Sequence, residues 1–273
     1  MGSTHRFQQM LQWLVDAATA RWPRRAPDPV LLSRCRIVSH RGVHDNDRIL
    51  ENTEAAFDRA VCAGVWGIEL DVRWTADREP VVFHDPDTAR LYGPSHLLSE
   101  MNLGALQRRY PAIPTLAAVV RRYGKRVHLM VELKSAAGIV TQAQLAALRQ
   151  ALRPLRPVAD YHLLSLEPRM LRAVRFAPRS CRVPIAEFNV RSLSELALRE
   201  GYGGISGHYL LMGSRRLLRH RRRGQAVGTG FVNSRYGLYR EVSRGVDWIF
   251  SDRAVRVQSF VDRARLDRPD PAP

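Results

Sequence analysis

The feature that most constrains this chain is a regular alternation of apolar, strand-like runs with helical segments from residue 36 onward. The strand-like runs lie at 37–40, 67–73, 81–84, 127–134, 161–165, 182–187, 204–206, 226–232 and 248–250. Helical segments fall between them, for example at 54–63, 116–123, 142–152, 169–176 and 193–199. This alternation predicts an α/β fold built on a parallel sheet.

The second and third runs are too close together to be parallel neighbours. Only residues 74–80 separate them, whereas a parallel crossover needs about a dozen residues or more. We therefore expect these two runs to form a hairpin, which leaves eight strands that can be parallel. Eight β-then-α units in 273 residues predict a single-domain (β/α)8 TIM barrel. An open doubly wound sheet is the alternative, but no GxGxxG or P-loop motif follows an early strand.

Segments of different composition flank the barrel, which we expect to occupy residues 36–262. Within residues 1–35, apolar residues at helical spacing predict an amphipathic helix over 5–21, and prolines from Pro23 onward break it in an Arg-rich linker. We expect this helix to cap the barrel, with a position on a membrane surface as the alternative. Residues 263–273 are charged and proline-rich, which predicts a flexible tail.

The chain is strongly basic, with a net charge of +17 from 43 Lys and Arg against 26 Asp and Glu. Such a balance is typical of proteins that bind nucleic acids or anionic membranes. Only Lys125 and Lys134 are lysines, and the arginines are spread along the whole chain. This distribution favours generally basic exposed surfaces over a specific nucleic-acid partner.

The cysteines and the apolar runs bear on the expected compartment. Cys35, Cys62 and Cys181 are odd in number, widely spaced and outside any CxxC pattern, so they predict neither a disulfide framework nor a zinc site. We expect a reduced, cytoplasmic setting, with peripheral membrane contact as an alternative. No run approaches the roughly 20 apolar residues of a transmembrane helix, and Gln12 and Asp16 interrupt the apolar stretch that a signal peptide would need.

Polar and charged residues collect where the early strands are expected to end. His40 and Arg41 close the first run, and His84 closes the third. Glu69 and Asp71 lie two residues apart near the end of the second run, so the strand pleat points both carboxylates to one face. In a parallel barrel, the carboxyl ends of the strands form the mouth, where active sites lie.

Glu132 and Lys134 repeat the two-residue spacing at the end of the fourth run. Three carboxylates form an all-oxygen set, which suits a hard divalent ion such as Mg²⁺ or Ca²⁺, whereas zinc would be expected to recruit His or Cys. Arg41 and Lys134 add positive charge suited to a phosphate group. The two strand-end histidines are candidates for a general acid and a general base.

Several stretches of the sequence occur together in a specific order. They are SHRG at 39–42, ENTEAAFDRAVCAGVWGIELDVRWTADREPVVFHD at 51–85, IPTL at 113–116 and VELK at 131–134, with weaker stretches that include FVN at 231–233 and GVDWIFSD at 245–252. In order and spacing they resemble the glycerophosphodiester phosphodiesterase family over roughly residues 36–258. The resemblance implies a TIM barrel and metal-dependent hydrolysis of glycerophosphodiesters to glycerol 3-phosphate and an alcohol, within lipid and glycerol metabolism.

The resemblance also implies roles for individual residues. These are an acid/base pair (His40, His84), phosphate contacts (Arg41, Lys134) and ligands of a divalent metal ion, Mg²⁺ or Ca²⁺ (Glu69, Asp71, Glu132). One course that it implies has the glycerol 2-hydroxyl attack phosphorus while one histidine acts as base and the other protonates the leaving alcohol. Water would then open the cyclic phosphate.

Other residues near the expected mouth are predicted to have supporting roles. Residues 51–53 match a Glu-Asn-Thr motif of the family, and we expect them to position the first loop and helix. In that loop, His44, Asp45 and Asp47 are expected to face water, with substrate contact as the alternative. His208 also lies near a predicted strand end, where it is a candidate for lining the pocket.

Two departures from the family pattern concern substrate choice. Gly230 and Phe231 stand where the family carries Trp-Thr, and Trp248 stands where it carries Gly, so we expect Trp248 partly to refill the space at Gly230, with ordinary packing as the alternative. The segment 86–113 is short, which implies an open mouth and admits lysophospholipids in a lysophospholipase D-like reaction. The alternative from another class is a non-catalytic basic barrel that binds nucleic acid or an anionic membrane.

Overall fold

The computed structural model describes residues 21–134 and 140–266. Within these residues the strands are β1 (Arg36–His40), β2 (Gly67–Trp74), β3 (Pro80–Val82), β4 (His128–Leu133), β5 (Tyr161–Ser165), β6 (Arg182–Ala186), β7 (Gly204–His208), β8 (Ala226–Gly230) and β9 (Trp248–Ser251). The α-helices in the same part of the chain are α1 (Pro29–Ser33), α2 (Glu54–Cys62), α3 (Ala89–Tyr92), α4 (Leu103–Arg109), α5 (Leu116–Tyr123), α6 (Gln142–Leu152), α7 (Pro168–Ala173), α8 (Val190–Glu200), α9 (Ser214–Arg221), α10 (Arg235–Arg244) and α11 (Ala254–Leu266). Short 3₁₀ turns lie at Leu98–Glu100 and Arg179–Cys181.

All the described strands except β3 form a closed parallel barrel. The order runs from β1 through β2 and β4 to β9, and the barrel closes because β1 pairs with both β2 and β9. Strand β3 pairs antiparallel with β2, with Trp74 opposite Pro80. The expected hairpin and the (β/α)8 TIM barrel are therefore confirmed.

The helices on the outside of the barrel begin at residues suited to that position. Thr53, Thr115 and Thr141 each accept a hydrogen bond from a backbone N–H in the first turn of the helix that follows. In α6, Gln144 also accepts from the backbone N–H of Thr141, which completes a capping box. Because these caps satisfy backbone groups that a helix leaves free, the alternation of strands and helices is encoded locally as well as by packing.

The main apolar core lies between the strands and the helices. Ile37, Ile68 and Leu70 point outward from β1 and β2 and are fully buried in this core. The rings of Phe57 on α2 and Tyr123 on α5 meet edge to face, 5.7 Å between centroids. Outward-pointing side chains of the strands thus pack against the helices. The alternate side chains point inward and form a separate interior of the barrel.

The interior of the barrel changes character along its axis. Its middle is an apolar cluster that includes Val38, Met130, Leu164, Val183 and Phe250. At the amino-terminal end, or base, His128 Nε2 and His162 Nδ1 share a hydrogen bond of 2.8 Å, and Trp66 stacks on His128 at 4.3 Å between ring centroids. At the mouth, the inward positions carry charged side chains.

A small lobe stands beside the mouth, on the side of β2 and β3. Its core contains Val81, Phe83, Leu98, Leu106, Tyr110 and Ile113. The segment 86–113, which the sequence marks as short, therefore still packs into a structured unit. On the opposite side of the mouth, short connections follow β6, β7 and β8.

The flanks of the barrel are described in part. Of the predicted helix over 5–21, only residue 21 lies within the described residues, whereas α1 occupies the end of the linker and packs against α11. Helix α11 continues to Leu266, past the expected barrel boundary at 262, and residues 267–273 of the predicted tail are outside the described chain. Across the described residues, no helix is both long enough and apolar enough to cross a bilayer.

Candidate active site

His40, the last residue of β1, is held by a carboxylate from the last strand of the barrel. Its Nδ1 lies 2.7 Å from Asp252 Oδ1, just beyond β9. Its Nε2 lies 3.8 Å from Oε2 of Glu69, the residue opposite it on β2. Burial disfavours the imidazolium, but the contacts with Asp252 and Glu69 outweigh it and raise the pKa of His40.

His84 is held in the same way by its neighbour in sequence. Its Nδ1 lies 2.7 Å from Asp85 Oδ1, and Arg90 Nε donates to the other oxygen of Asp85 at 2.6 Å. Burial lowers the pKa of His84, and the positive charges of Arg41 and Lys134 act in the same direction. With Nδ1 bound to a carboxylate in both rings, Nε2 is the nitrogen left to exchange a proton with a substrate.

Three buried carboxylates lie between the histidines and the wall of the barrel. Glu69, Asp71 and Glu132 each offer one oxygen, and these oxygens lie within 4.8 Å of one another. The barrel register brings them together, because Asp71 on β2 stands opposite Glu132 on β4. One divalent ion can bridge oxygens at this spacing.

The environment of Glu69 fits a cation. Its Oε1 is buried and has no hydrogen-bond partner among the described residues. Burial and the negative charge of Asp71 raise the pKa of Glu69 to about 8. The cluster thus offers only carboxylate oxygens, it is buried, and one of its oxygens, Glu69 Oε1, has no partner in the described chain. This is the ligand set that a hard divalent ion prefers.

Asp71 remains ionised because cations and an amide surround it. Lys134 and Arg41 hold its pKa well below the usual range, although burial acts in the opposite direction. Asn52 donates from Nδ2 to Asp71 Oδ2 at 2.8 Å, and its Oδ1 accepts from the Asp71 backbone N–H at 3.2 Å. The Glu-Asn-Thr motif thus positions a carboxylate of the site as well as the loop that precedes α2.

Arg41 and Lys134 are ion-paired inside the cluster. Arg41 Nη1 lies 3.0 Å from Glu51 Oε1 and its Nε lies 3.2 Å from Asp71 Oδ2. Lys134 Nζ lies 2.6 Å from Glu132 Oε1 and 3.2 Å from Asp71 Oδ1. The site therefore alternates positive and negative groups, and both cations stand where a phosphate beside the carboxylates would meet them.

The backbone turn after β1 aims Arg41 into this network. Arg41 has a φ of 56° and Gly42 a φ of 79°, both in the left-handed region. A Cβ on Gly42 would come within 2.8 Å of Ala56 on α2. Position 42 must therefore be glycine, because both its φ and its contact with the helix exclude a side chain.

Glu51 forms a second layer behind the cations. It accepts hydrogen bonds from Arg41, Arg90 and Asn46. Burial opposes its charge, but Arg90 and Arg41 together lower the pKa of Glu51 to about 2. This carboxylate ties the first loop of the barrel to α3 of the side lobe.

The residues of the first loop have mainly structural contacts. Asp45 is exposed, and its Oδ1 accepts hydrogen bonds from the backbone N–H groups of Asp47, Arg48 and Ile49. Asp47 is exposed as well, whereas His44 is half-buried with Nε2 3.8 Å from Glu51 Oε2. Asp45 and Asp47 thus face water, as the sequence predicts.

The expectation that Trp248 refills the space at Gly230 is wrong. Trp248 begins β9, opposite Arg36 and Gly228, so it lies at the base of the barrel, where its ring meets His162 edge to face at 5.0 Å. Gly230 ends β8 at the mouth, and a Cβ there would meet only Gly207 O at 3.8 Å. Residues line the mouth when they lie at the carboxyl end of a strand, whereas Trp248 is the first residue of β9.

Phe231 supplies the aromatic ring at this side of the mouth. Its centroid lies 5.4 Å from that of His40, edge to face, and 6.1 Å from that of His208. Phe231 has a φ of 64°, a conformation that is unfavourable for a bulky residue. The turn after β8 therefore directs a ring toward His40 at a cost in backbone energy.

The seven polar residues predicted from the sequence lie together at the mouth of the barrel, but the carboxylate partners of the two histidines were not predicted. Asp85 follows His84 directly in the sequence, and this adjacency could have identified it as a partner of the ring. Asp252 follows the end of β9, and the same strand-end rule that marked His40 would have found it. Arg90 has no comparable signal, because only the folding of the side lobe brings it to Glu51 and Asp85.

Comparison with known proteins agrees with this geometry. Residues 40–256 match the sequence profile described as the Glycerophosphoryl diester phosphodiesterase family. The chain belongs to this family. Family membership confirms the resemblance seen in the sequence, and the shared segment begins at His40 and includes Asp252.

Individual relatives extend the comparison. A glycerophosphodiester phosphodiesterase of Caldanaerobacter subterraneus is 30% identical over 172 residues, which are 59% of this chain and 60% of that protein. Glycerophosphodiester phosphodiesterase 1 of Rattus norvegicus is 36% identical over 93 residues, 33% of this chain and 27% of that protein. The matched segments thus span less than two thirds of these curated relatives.

A solved structure has the same fold. It is an Oleispira antarctica phosphodiesterase in complex with its product, sn-glycerol-3-phosphate. It has a TM-score of 0.70 and 24% identity, and the match covers 83% of this chain and 96% of that one. At this identity the likeness concerns the fold.

Proposed function

We propose that this protein is a phosphoric diester hydrolase that converts glycerophosphodiesters to glycerol 3-phosphate and an alcohol. The observation that carries the proposal is the arrangement at the mouth, where two histidines, each bound to an aspartate, stand beside a buried cluster of three carboxylates. Family membership supports the same reaction class. The product named for the Oleispira relative supports glycerol 3-phosphate as one product.

A divalent metal ion, Mg²⁺ or Ca²⁺, is proposed as the cofactor. Glu69, Asp71 and Glu132 would hold it, since they offer clustered oxygen ligands and Glu69 Oε1 is buried without a partner. When bound, the ion supplies positive charge that stabilises the negative oxygens of a phosphodiester.

The cations of the chain are proposed to bind the phosphate. Arg41 presents a planar fork of donors, which suits two phosphate oxygens, and Lys134 acts as a compact positive charge. Both side chains are already held at the carboxylate cluster by ion pairs. A phosphate placed beside that cluster meets cations whose positions are fixed before it arrives, which lowers the entropy lost on binding.

The two histidines are proposed as the acid/base pair. In one course, one Nε2 accepts the proton of the glycerol 2-hydroxyl as that oxygen attacks phosphorus, and the other Nε2 donates a proton to the departing alcohol oxygen. Water then opens the cyclic phosphate with the proton transfers reversed. Asp252 and Asp85 keep Nδ1 protonated in His40 and His84, so each ring presents Nε2 to the substrate.

The test is a hydrolysis assay with small glycerophosphodiesters and lysophospholipids, each in EDTA and with added Mg²⁺ or Ca²⁺. We expect turnover of the small substrates that EDTA abolishes and one of the two ions restores. Preference for lysophospholipids would favour the lysophospholipase D-like alternative. The absence of turnover with any divalent ion, together with salt-dependent nucleic-acid binding, would favour the non-catalytic basic barrel.

A variant pair sharpens the assay. Glu69→Gln removes a carboxylate from the cluster and should raise the metal concentration needed for half-maximal activity by tenfold or more. Glu79→Gln is the matched control, because Glu79 is an exposed glutamate in the turn between β2 and β3. Equal metal dependence in both variants would contradict the proposed ligands.

A further inference from the structure

The rim of the mouth on the side of β6 to β9 carries exposed apolar side chains. Phe188, in the connection after β6, is 71% exposed. Leu210 and Leu211, in the connection after β7, are 45% and 38% exposed. Strands β6 and β7 are neighbours in the barrel, so these connections lie side by side at its mouth.

Arginines occur in a regular pattern on the same side of the mouth as these apolar residues. Each helix that follows β6, β7, β8 and β9 has an arginine at its first or second position or immediately before it. These residues are Arg191 on α8, Arg215 on α9, Arg235 on α10 and Arg253 before α11. The same pattern occurs after β5, where Arg169 is the second residue of α7, so it repeats in five consecutive β-then-α units, and the last four of them carry the rim described here.

This placement is unfavourable for the helices themselves. A helix amino terminus carries partial positive charge, so acidic residues are favoured there and cations are not. Helices α8 to α11 carry an arginine at this end and no acidic residue in the first turn to offset it. Local stability therefore does not account for the four arginines, and a negatively charged partner would.

The four arginines are available to such a partner. All four are exposed, and none forms an ion pair with a carboxylate of residues 21–134 or 140–266. Glu187 is an exposed carboxylate on the same rim. Asp252 is bound to His40. The exposed charge of this side is therefore net positive.

We propose that this rim docks on the surface of an anionic lipid bilayer. Phe188, Leu210 and Leu211 enter the boundary between headgroups and acyl chains, and the arginines contact the negative headgroups around them. Arg235 donates to the Tyr236 hydroxyl and lies over the rings of Tyr236 and Tyr239, but it remains exposed. Apolar side chains on the same rim as exposed arginines without a carboxylate partner among the described residues match the two layers of such a surface. Docking in this orientation places the mouth of the barrel against the lipid.

The test is co-sedimentation with vesicles of phosphatidylcholine, either pure or with one quarter phosphatidylglycerol. We expect the protein to bind the anionic vesicles and to bind pure phosphatidylcholine at least tenfold more weakly. A fourfold rise in salt should reduce binding to the anionic vesicles, because the attraction is partly screened. Failure to bind anionic vesicles at low salt would overturn the proposal.

Two pairs of variants locate the surface. Phe188→Ser/Leu211→Ser should weaken binding to anionic vesicles about tenfold or more, since each residue buries apolar area in the bilayer. Val30→Ser/Leu31→Ser is the matched control, because these residues of α1 are also exposed but precede β1 at the base of the barrel. An equal loss in the control pair would place the membrane contact at the wrong end and overturn the proposal.

The arginines are tested in the same way. Arg191→Gln/Arg215→Gln should weaken binding several-fold on anionic vesicles and leave the weak binding to pure phosphatidylcholine unchanged. Arg222→Gln/Arg223→Gln is the control, since these exposed residues lie at the far end of α9. Sedimentation requires no turnover, so His40→Ala should bind like the unmodified protein. A failure of the proposed hydrolysis thus remains distinct from a failure of docking.

Discussion

Two pairs of histidines lie at opposite ends of the barrel, and the two pairs have different partners. At the mouth, His40 and His84 are each bound to an aspartate. At the base, His128 and His162 are bound to each other and packed against Trp66 and Trp248. Burial lowers the pKa of His128 to about 4 and that of His162 to about 3.

The difference lies in the charge around the rings. At the mouth, a carboxylate orients each imidazole, and the pKa of His40 is raised although that of His84 is lowered by burial. At the base, the rings meet aromatic faces, each other and the Ala159 carbonyl, and the positive charge of Arg36 adds to burial in disfavouring a proton. Histidines of one barrel are thus bound to carboxylates at one end, where we propose proton transfer, and packed as neutral rings at the other. Substitutions at matched positions can test this division.

The largest expected effect is on turnover at the mouth. His84→Ala should lower kcat by about 10²–10⁴-fold, the contribution of a positioned general acid or base. At the base, His128→Gln should leave kcat within twofold of the unmodified protein, because this ring does not face the mouth. Steady-state kinetics with a small glycerophosphodiester checks both. Comparable losses of kcat in the two variants would contradict the view that only the histidines at the mouth take part in turnover.

The next largest effect is on stability at the base. Trp248→Ala should lower the free energy of unfolding by about 3–5 kcal/mol, because it removes a large ring that is 2% exposed. The preference among glycerophosphodiesters with small and large alcohols should not change, since the ring is remote from Gly230. Urea unfolding and competition assays measure the two quantities. If the alanine variant does not fold, the same two quantities can be measured for the milder substitution Trp248→Phe.

A third effect separates the ends by pH. The base histidines have lowered pKa values in the folded protein, whereas unfolded histidines titrate near ~6.5. As pH falls below ~6.5, the unfolded chain binds protons first, so the stability that the neutral pair contributes is lost between ~6.5 and ~3. His128→Gln/His162→Gln should flatten this part of the stability curve, by several kcal/mol at pH 4 relative to pH 7, since a pKa change of one unit is worth ~1.4 kcal/mol. An unchanged slope in urea unfolding across this range would contradict the assignment.

The smallest effect concerns the aromatic ring at the mouth. Phe231→Leu should raise KM for small glycerophosphodiesters about threefold to tenfold, as expected for losing one apolar contact in a binding site. The kcat value should change less, because the ring touches His40 at its edge and holds no proton. Phe250→Leu, in the apolar middle of the barrel, is the control and should alter stability more than KM.

The barrel architecture could be predicted from the sequence because its strands and helices are marked by local patterns. Hydrophobic runs, threonine caps and the short gap before β3 are all readable along the chain, and they place His40 and Glu132 at or next to strand ends. Glu69 is the third residue of β2 and reaches the mouth because it lies opposite His40. The partners of these residues are set by closure and register instead. Asp252 meets His40 across a separation of 212 positions, and Trp248 lies at the base because β9 starts there. Neither relation appears in a local pattern.

The bond between His40 and Asp252 has a consequence for biosynthesis. It joins the first strand of the barrel to the last, so the site is incomplete until β9 has been made and has closed against β1. A nascent chain that still lacks β9 therefore has a His40 without its carboxylate partner, and the proposed acid/base pair is incomplete. Recovery of activity during refolding would report the final closure step, and would lag behind probes of the earlier strands.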